Sequence, residues 1–141
     1  MSSIRDLVAT WRAKGVRLEP PATESDLAAL EAALGVRLPR DVREFYLEAN
    51  GMSDLEYDDH ETNFWSIRKI LSDPGRSEGQ DPNGAFSDFP MADFLLDSWF
   101  LSFRVRSGSV GLFLEGTGEE FANLSSFVSR YLEAPESLSV L

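Results

Sequence analysis

The sequence predicts an α+β fold: N-terminal helices, then a small, mainly antiparallel sheet, then a C-terminal helix packed on that sheet. Three observations carry the prediction. Between Ile4 and Ala49 apolar residues recur at three- and four-residue steps, the period of helices with one buried face. From Phe94 to Leu114 they fall two apart, the period of half-buried strands. From Phe121 to Leu132 the helical period returns. Helices followed by strands within 141 residues give one layer of helices over one sheet, and a single domain over residues 1–141.

Taken in order, Ile4, Leu7, Val8 and Trp11 form the inward stripe of an opening helix that starts after Ser2-Ser3 and ends at Gly15. Pro20-Pro21 forbids its continuation. Thr23 followed by Asp26 has capping-box spacing, and Leu27, Leu30, Ala33 and Leu34 make a second stripe that stops at Gly35. A third helix begins at Pro39, whose missing amide costs nothing in a first turn, with Val42, Phe45, Tyr46 and Ala49 inward. Gly51 is expected to close it in the left-handed conformation, and the second and third helices are expected to pack as neighbours.

From Ser53 to Asn63 the chain reads as an acidic loop, with Asp54, Glu56, Asp58, Asp59 and Glu61 around Tyr57 and the only histidine, His60. Phe64 to Leu71 reads as a strand, with Arg68-Lys69 breaking its alternation. Asp73-Pro74-Gly75 and Asp81-Pro82-Asn83-Gly84 are turn sequences inside a long loop over residues 72–88. Phe94 and Leu96 form one strand run, and Trp99, Leu101, Phe103 and Val105 a second, with Asp97-Ser98 as the hairpin tip. Ser102, Arg104 and Arg106 lie on the opposite face. After Ser107-Gly108, Val110, Leu112 and Leu114 make a third strand of an antiparallel meander. Thr117 and Glu120 have capping-box spacing ahead of Phe121, Leu124, Phe127, Val128, Tyr131 and Leu132. Pro135 ends that helix, leaving a loosely held tail.

A Leu-rich helix running through Leu27, Leu30 and Leu34 into Gly35-Val36 and Leu38-Pro39, then Phe45-Tyr46 and Asn50-Gly51, resembles the SUKH superfamily, whose fungal members are cell-wall assembly regulators. The order of later elements fits as well, over residues 1–134. For a compact chain of this length the resemblance implies a non-catalytic immunity protein that binds and neutralises a cognate toxin domain, often a nuclease. An adaptor that organises signalling partners, as in the fungal relatives, is the first alternative, and a metal-dependent enzyme centred on His60 the second.

Composition narrows the chemistry. With no cysteine there is neither disulfide nor thiolate nucleophile, and no apolar run reaches the roughly 20 residues that span a bilayer. A cytoplasmic protein is expected. A formal net charge of −11 repels nucleic acid and anionic membranes and favours a protein partner with a basic surface. Asp58-Asp59-His60-Glu61 is the one constellation for metal binding or acid–base work, but adjacent like charges without a calcium-loop pattern read as a solvated loop. No Gly-x-Ser-x-Gly elbow or Walker lysine is present, and Gly116-Thr117-Gly118 reads as a plain turn. No enzyme, cofactor or metal is therefore expected. Charge and expected exposure assign the partner contact to Asp54, Glu56, Asp58, Asp59 and Glu61, with Tyr57 or Trp65 as apolar anchor.

Overall fold

The structure, a computed structural model, describes residues 3–72, 84–94 and 99–138. Three helices open the chain: α1 (Ile4–Ala13), α2 (Glu24–Leu34) and α3 (Arg40–Glu48). Both expected starts are capping boxes, with the Ser3 hydroxyl accepting from Asp6 N at 3.2 Å and Thr23 from Asp26 N at 3.1 Å. Each satisfies amides that no earlier turn can reach. The expected apolar stripes are the buried ones: Ile4, Leu7, Val8 and Trp11 on α1, Leu27, Leu30 and Leu34 on α2, and Val42, Phe45 and Tyr46 on α3.

Strand β1 (Thr62–Phe64) is followed by a fourth helix, α4 (Ile67–Ser72). The strand expected over 64–71 is thus mostly helix. Its broken alternation was a helical period: Ile67 and Ile70 are buried, Arg68 is exposed, and the Ser66 hydroxyl accepts from Lys69 N at 3.2 Å as a cap. The helix is further fixed by Asn50, whose Oδ1 accepts from Ile67 N at 2.9 Å. α2 packs chiefly on α4, and α3 on α1 and α5 (Leu124–Glu133). The neighbours expected, α2 and α3, touch less closely, with Arg43 reaching Glu24 at 2.7 Å.

Gly51 also has a different role from the expected helix stop. α3 ends at Glu48 with Ala49 extended; Gly51 has φ +73, and a Cβ there would lie 2.5 Å from the carbonyl carbon and oxygen of Trp65. The glycine lets two backbones touch.

The sheet is an antiparallel meander in the order β1, β2 (Ser87–Phe94), β3 (Trp99–Arg106), β4 (Ser109–Leu114) and β5 (Glu119–Phe121). β2 begins well before the expected run at Phe94, within the span assigned to a loop. A bulge between Pro90 and Ala92 shifts the phase of alternation, and Pro90 is tolerated in a central strand because it stands at that bulge. The hairpin tip expected at Asp97-Ser98, and the turns at Asp73-Pro74-Gly75 and Asp81-Pro82-Asn83, lie outside the described residues. Thr117 caps no helix: its hydroxyl accepts from Glu119 N at 3.1 Å in the β4–β5 turn, and the cap of α5 is Asn123, accepting from Ser126 N at 2.8 Å. The tail is anchored further than expected, for Leu138 is fully buried and Arg130 donates to Ser137 O at 3.0 Å.

Cross-strand rows Phe64–Ala92–Leu101–Leu114 and Phe103–Leu112–Phe121 form the helix-covered face. Phe64 is the hub of the core, its ring centroid 5.0 Å from Trp11, 5.9 Å from Phe45 and 5.7 Å from Tyr131. Edge-on and tilted contacts of this kind add to what area burial alone contributes. Trp99, expected in the core, stays 37% exposed at the strand end. The opposite face is not simply polar. Arg104 is buried, makes a bidentate pair with Asp88 at 2.7 Å through each of two nitrogens, and lies against the rings of Phe86 and Phe113.

Candidate functional site

Residues 53–61 leave the helical layer and return as β1, and internal bonds fix their path. Asn63 is buried and its amide donates to Ser53 O at 3.1 Å and Glu56 O at 2.6 Å, clamping the loop's two halves together. Asp58 is its second fastener. Oδ1 accepts from His60 N at 2.9 Å and Thr62 N at 3.2 Å; Oδ2 accepts from Trp11 Nε1 at 3.1 Å and from the Tyr131 hydroxyl. One carboxylate thereby ties α1, α5 and the entry to β1. Leu55 and Glu61 adopt left-handed φ values of 65° and 57°, a conformation that costs about 1–2 kcal/mol for a residue with a side chain and persists only where the surroundings impose it.

The sequence-predicted contact residues accordingly divide. Asp54, Asp59 and Glu61 are exposed. Asp54 lies 3.6 Å from Arg68 across solvent, and Asp59 meets Lys14, whose hydrogen bond and charge hold the Asp59 carboxyl below the usual carboxylate range. Glu56 is half-buried and accepts from Arg17 N at 2.6 Å. Tyr57 is half-buried and donates to Asp93 Oδ2 at 3.2 Å. Trp65 is 3% exposed, donates its indole N–H to Asp93 Oδ1 at 2.6 Å and packs edge-on to Phe100 at 6.0 Å. It is part of the sheet's second covered face and does not stand out as an anchor. The large apolar side chain that does is Leu55, 80% exposed at the loop tip.

The constellation around His60 does not converge. Its ring stands edge-on to Tyr131 at 4.9 Å, beside a cleft of about 30 Å³ lined by Trp11, Lys14, Asp58 and Tyr131, room for about one water molecule. Among the described residues no three His, Asp or Glu side chains are grouped to hold a metal ion. Nor, among the described residues, is any helix long and apolar enough to cross a membrane.

A second surface escaped the sequence reading. A groove of roughly 730 Å³ opens along the outer side of α3, lined by Arg5, Arg37, Arg40, Arg43, Leu47 and Glu48 among others. Its signal was in the sequence as arginine at three-residue steps from Arg37 to Arg43, hidden within a strongly negative total.

The profile of the SMI1/KNR4 family (SUKH-1) matches residues 21–131. The chain belongs to this family. The resemblance carried by Leu27, Leu30, Leu34, Gly35, Val36, Leu38, Pro39, Phe45, Tyr46, Asn50 and Gly51 falls wholly inside that match. No curated protein matches the chain. The SMI1/KNR4 family includes toxin-immunity proteins and fungal regulators, and is generally non-catalytic. Its immunity members act by binding toxins, so a protein partner is the general expectation for this family.

Proposed function

We propose that this SMI1/KNR4-family chain is an immunity protein that neutralises a cognate toxin domain by direct contact, seating its acidic loop on a basic surface of the toxin. One observation carries the reading beyond the family: Asp54, Asp59 and Glu61 stand exposed on a loop whose own course is fixed from beneath by Asp58 and Asn63. A loop ordered before contact loses little entropy on binding, so its charges translate into affinity and encounter rate. Glu56 and Tyr57 flank that surface; Asp58 and Trp65 contribute by holding it in place. A nuclease suits such a partner, because a site that binds phosphates is basic.

The test is to express the chain with a toxin domain found encoded beside it, measure rescue of growth and co-purification, and follow association kinetics. Replacing Asp54, Asp59 and Glu61 together with lysine is expected to slow association by about tenfold or more at low salt, an effect that fades as salt screens the charges. Unchanged rate and affinity in that triple variant would remove the loop from the interface, and failure of the intact chain to bind or rescue would remove the immunity reading.

A further inference from the structure

Positive charge is scarce in this chain, 13 Lys plus Arg against 24 Asp plus Glu, and among the described residues most of it is used internally. Lys14, Arg17 and Arg68 pair with carboxylates of the acidic loop; Arg5, Arg43, Arg104, Arg106 and Arg130 pair with carboxylates elsewhere; Arg12 donates to Glu48 O; Lys69 lies over the Trp65 ring. Among the described residues Arg37 and Arg40 alone lack such a partner, although Glu44 stands one helical turn from Arg40. Both are exposed, and both line the groove along α3. Leu47, 41% exposed, gives that groove an apolar wall beside them.

We infer that the groove is a docking site for an acidic segment of a partner protein, with carboxylates meeting Arg37 and Arg40 and an apolar side chain lying on Leu47. Charge complementarity selects the occupant. Guanidinium groups take carboxylates through two parallel hydrogen bonds, and two unpaired arginines in a chain of net charge −11 are the local exception to a field that otherwise repels acids. Nucleic acid fits less well: a continuous polyanion meets that long-range field along its length, meets Glu44 and Glu48 in the lining, and offers nothing aliphatic for Leu47. A second copy fits less well too. Among the described residues the chain's own exposed acidic-apolar tip is Leu55 beside Asp54, whereas the groove, at roughly 730 Å³, has room for several side chains. The site shares no residue with the acidic loop and does not depend on the immunity reading: it gives one protein two contact surfaces of opposite charge.

The test uses the intact chain and a fluorescein-labelled synthetic peptide of glutamates around two leucines, read by anisotropy at low salt. Saturable binding is expected, weakened by salt, weakened severalfold when the peptide leucines become serine, and absent for the matching lysine peptide. Arg37→Glu with Arg40→Glu is expected to weaken binding by at least tenfold, Arg37→Gln with Arg40→Gln by somewhat less, and Leu47→Ser severalfold. These exposed side chains leave the melting temperature near that of the parent, and Asp54→Lys leaves peptide binding intact. The proposal is overturned if the intact chain does not bind the peptide, if the arginine variants bind it equally well, or if a labelled oligonucleotide binds more tightly. It is equally overturned if the same arginine variants instead abolish a dimer seen by sedimentation.

Discussion

Tyr131 on the last helix donates its hydroxyl to Asp58, and Trp11 on the first donates its indole N–H to the same carboxylate oxygen. With His60 N and Thr62 N on the other oxygen, a side chain that the sequence assigned to the acidic contact surface is the joint between α1, α5 and the sheet. Asp58→Ala strands four donors, two of them on large buried side chains. A loss of about 3 kcal/mol is expected, seen as a lower urea midpoint. Asp58→Asn, which keeps one acceptor oxygen, is expected to lose about half as much.

Gly51 and Gly15 separate two costs that sequence alone merges. Both have positive φ, 73° and 75°. A methyl group at Gly15 meets nothing within 4 Å, whereas at Gly51 it collides with the Trp65 backbone. Gly15→Ala is expected to cost about 1 kcal/mol of backbone strain. Gly51→Ala must also push β1 away from α3 and is expected to cost more than about 3 kcal/mol, read as lost soluble yield or a collapsed denaturation midpoint.

These cases show what was legible and what was not. Helix stripes such as Ile4–Leu7–Val8–Trp11 and strand alternation such as Leu101–Phe103 follow from burial on one face, and burial leaves a period in the sequence. The first half of β2 left none, because the bulge beyond Pro90 reverses the phase. α4 is only six residues long, too short for its period to be told from a strand's. The acidic loop was legible as charge but not as structure. Whether a carboxylate faces solvent, as Glu61 does, or Trp11 and Tyr131, as Asp58 does, depends on contacts 47 and 73 residues away. Arg104 misled in the same way: its position in the alternation is the outer face, and only the fold supplies Asp88, Phe86 and Phe113 to bury it.

The Arg104–Asp88 pair yields a further expectation. Both side chains are about nine-tenths removed from solvent, so breaking the pair takes the nearest opposite charge from a group in a poorly hydrated place, with Glu120 at 3.6 Å from Arg104 as the weaker second contact. Arg104→Ala or Asp88→Ala is expected to cost about 3–5 kcal/mol. Arg104→Met with Asp88→Leu, which removes both charges and keeps the volume, is expected to cost much less than the sum of the single changes. Urea denaturation of the three variants and the parent gives the cycle, and additive losses would mean that the pair is not what binds β2 to β3 there.

Alkaline pH probes the core through its phenols. Burial, and after it the neighbouring Asp58 carboxylate, push the Tyr131 hydroxyl well above its usual range, and burial alone pushes Tyr46 up. The unfolded chain releases these protons near pH 10, while the folded chain holds them higher, so between those limits the native state binds more protons. Stability from this source is therefore complete below about pH 10 and falls as pH rises beyond it, by up to about 1.4 kcal/mol per pH unit for each phenol. Tyr131→Phe is expected to lower stability at pH 7 modestly, by loss of its bond to Asp58, yet to flatten the decline above pH 10. Tyr131→Phe with Tyr46→Phe should flatten it further. Denaturant midpoints measured from pH 8 to pH 11 distinguish this from general charge repulsion in an acidic chain, which would steepen the decline equally in parent and variants.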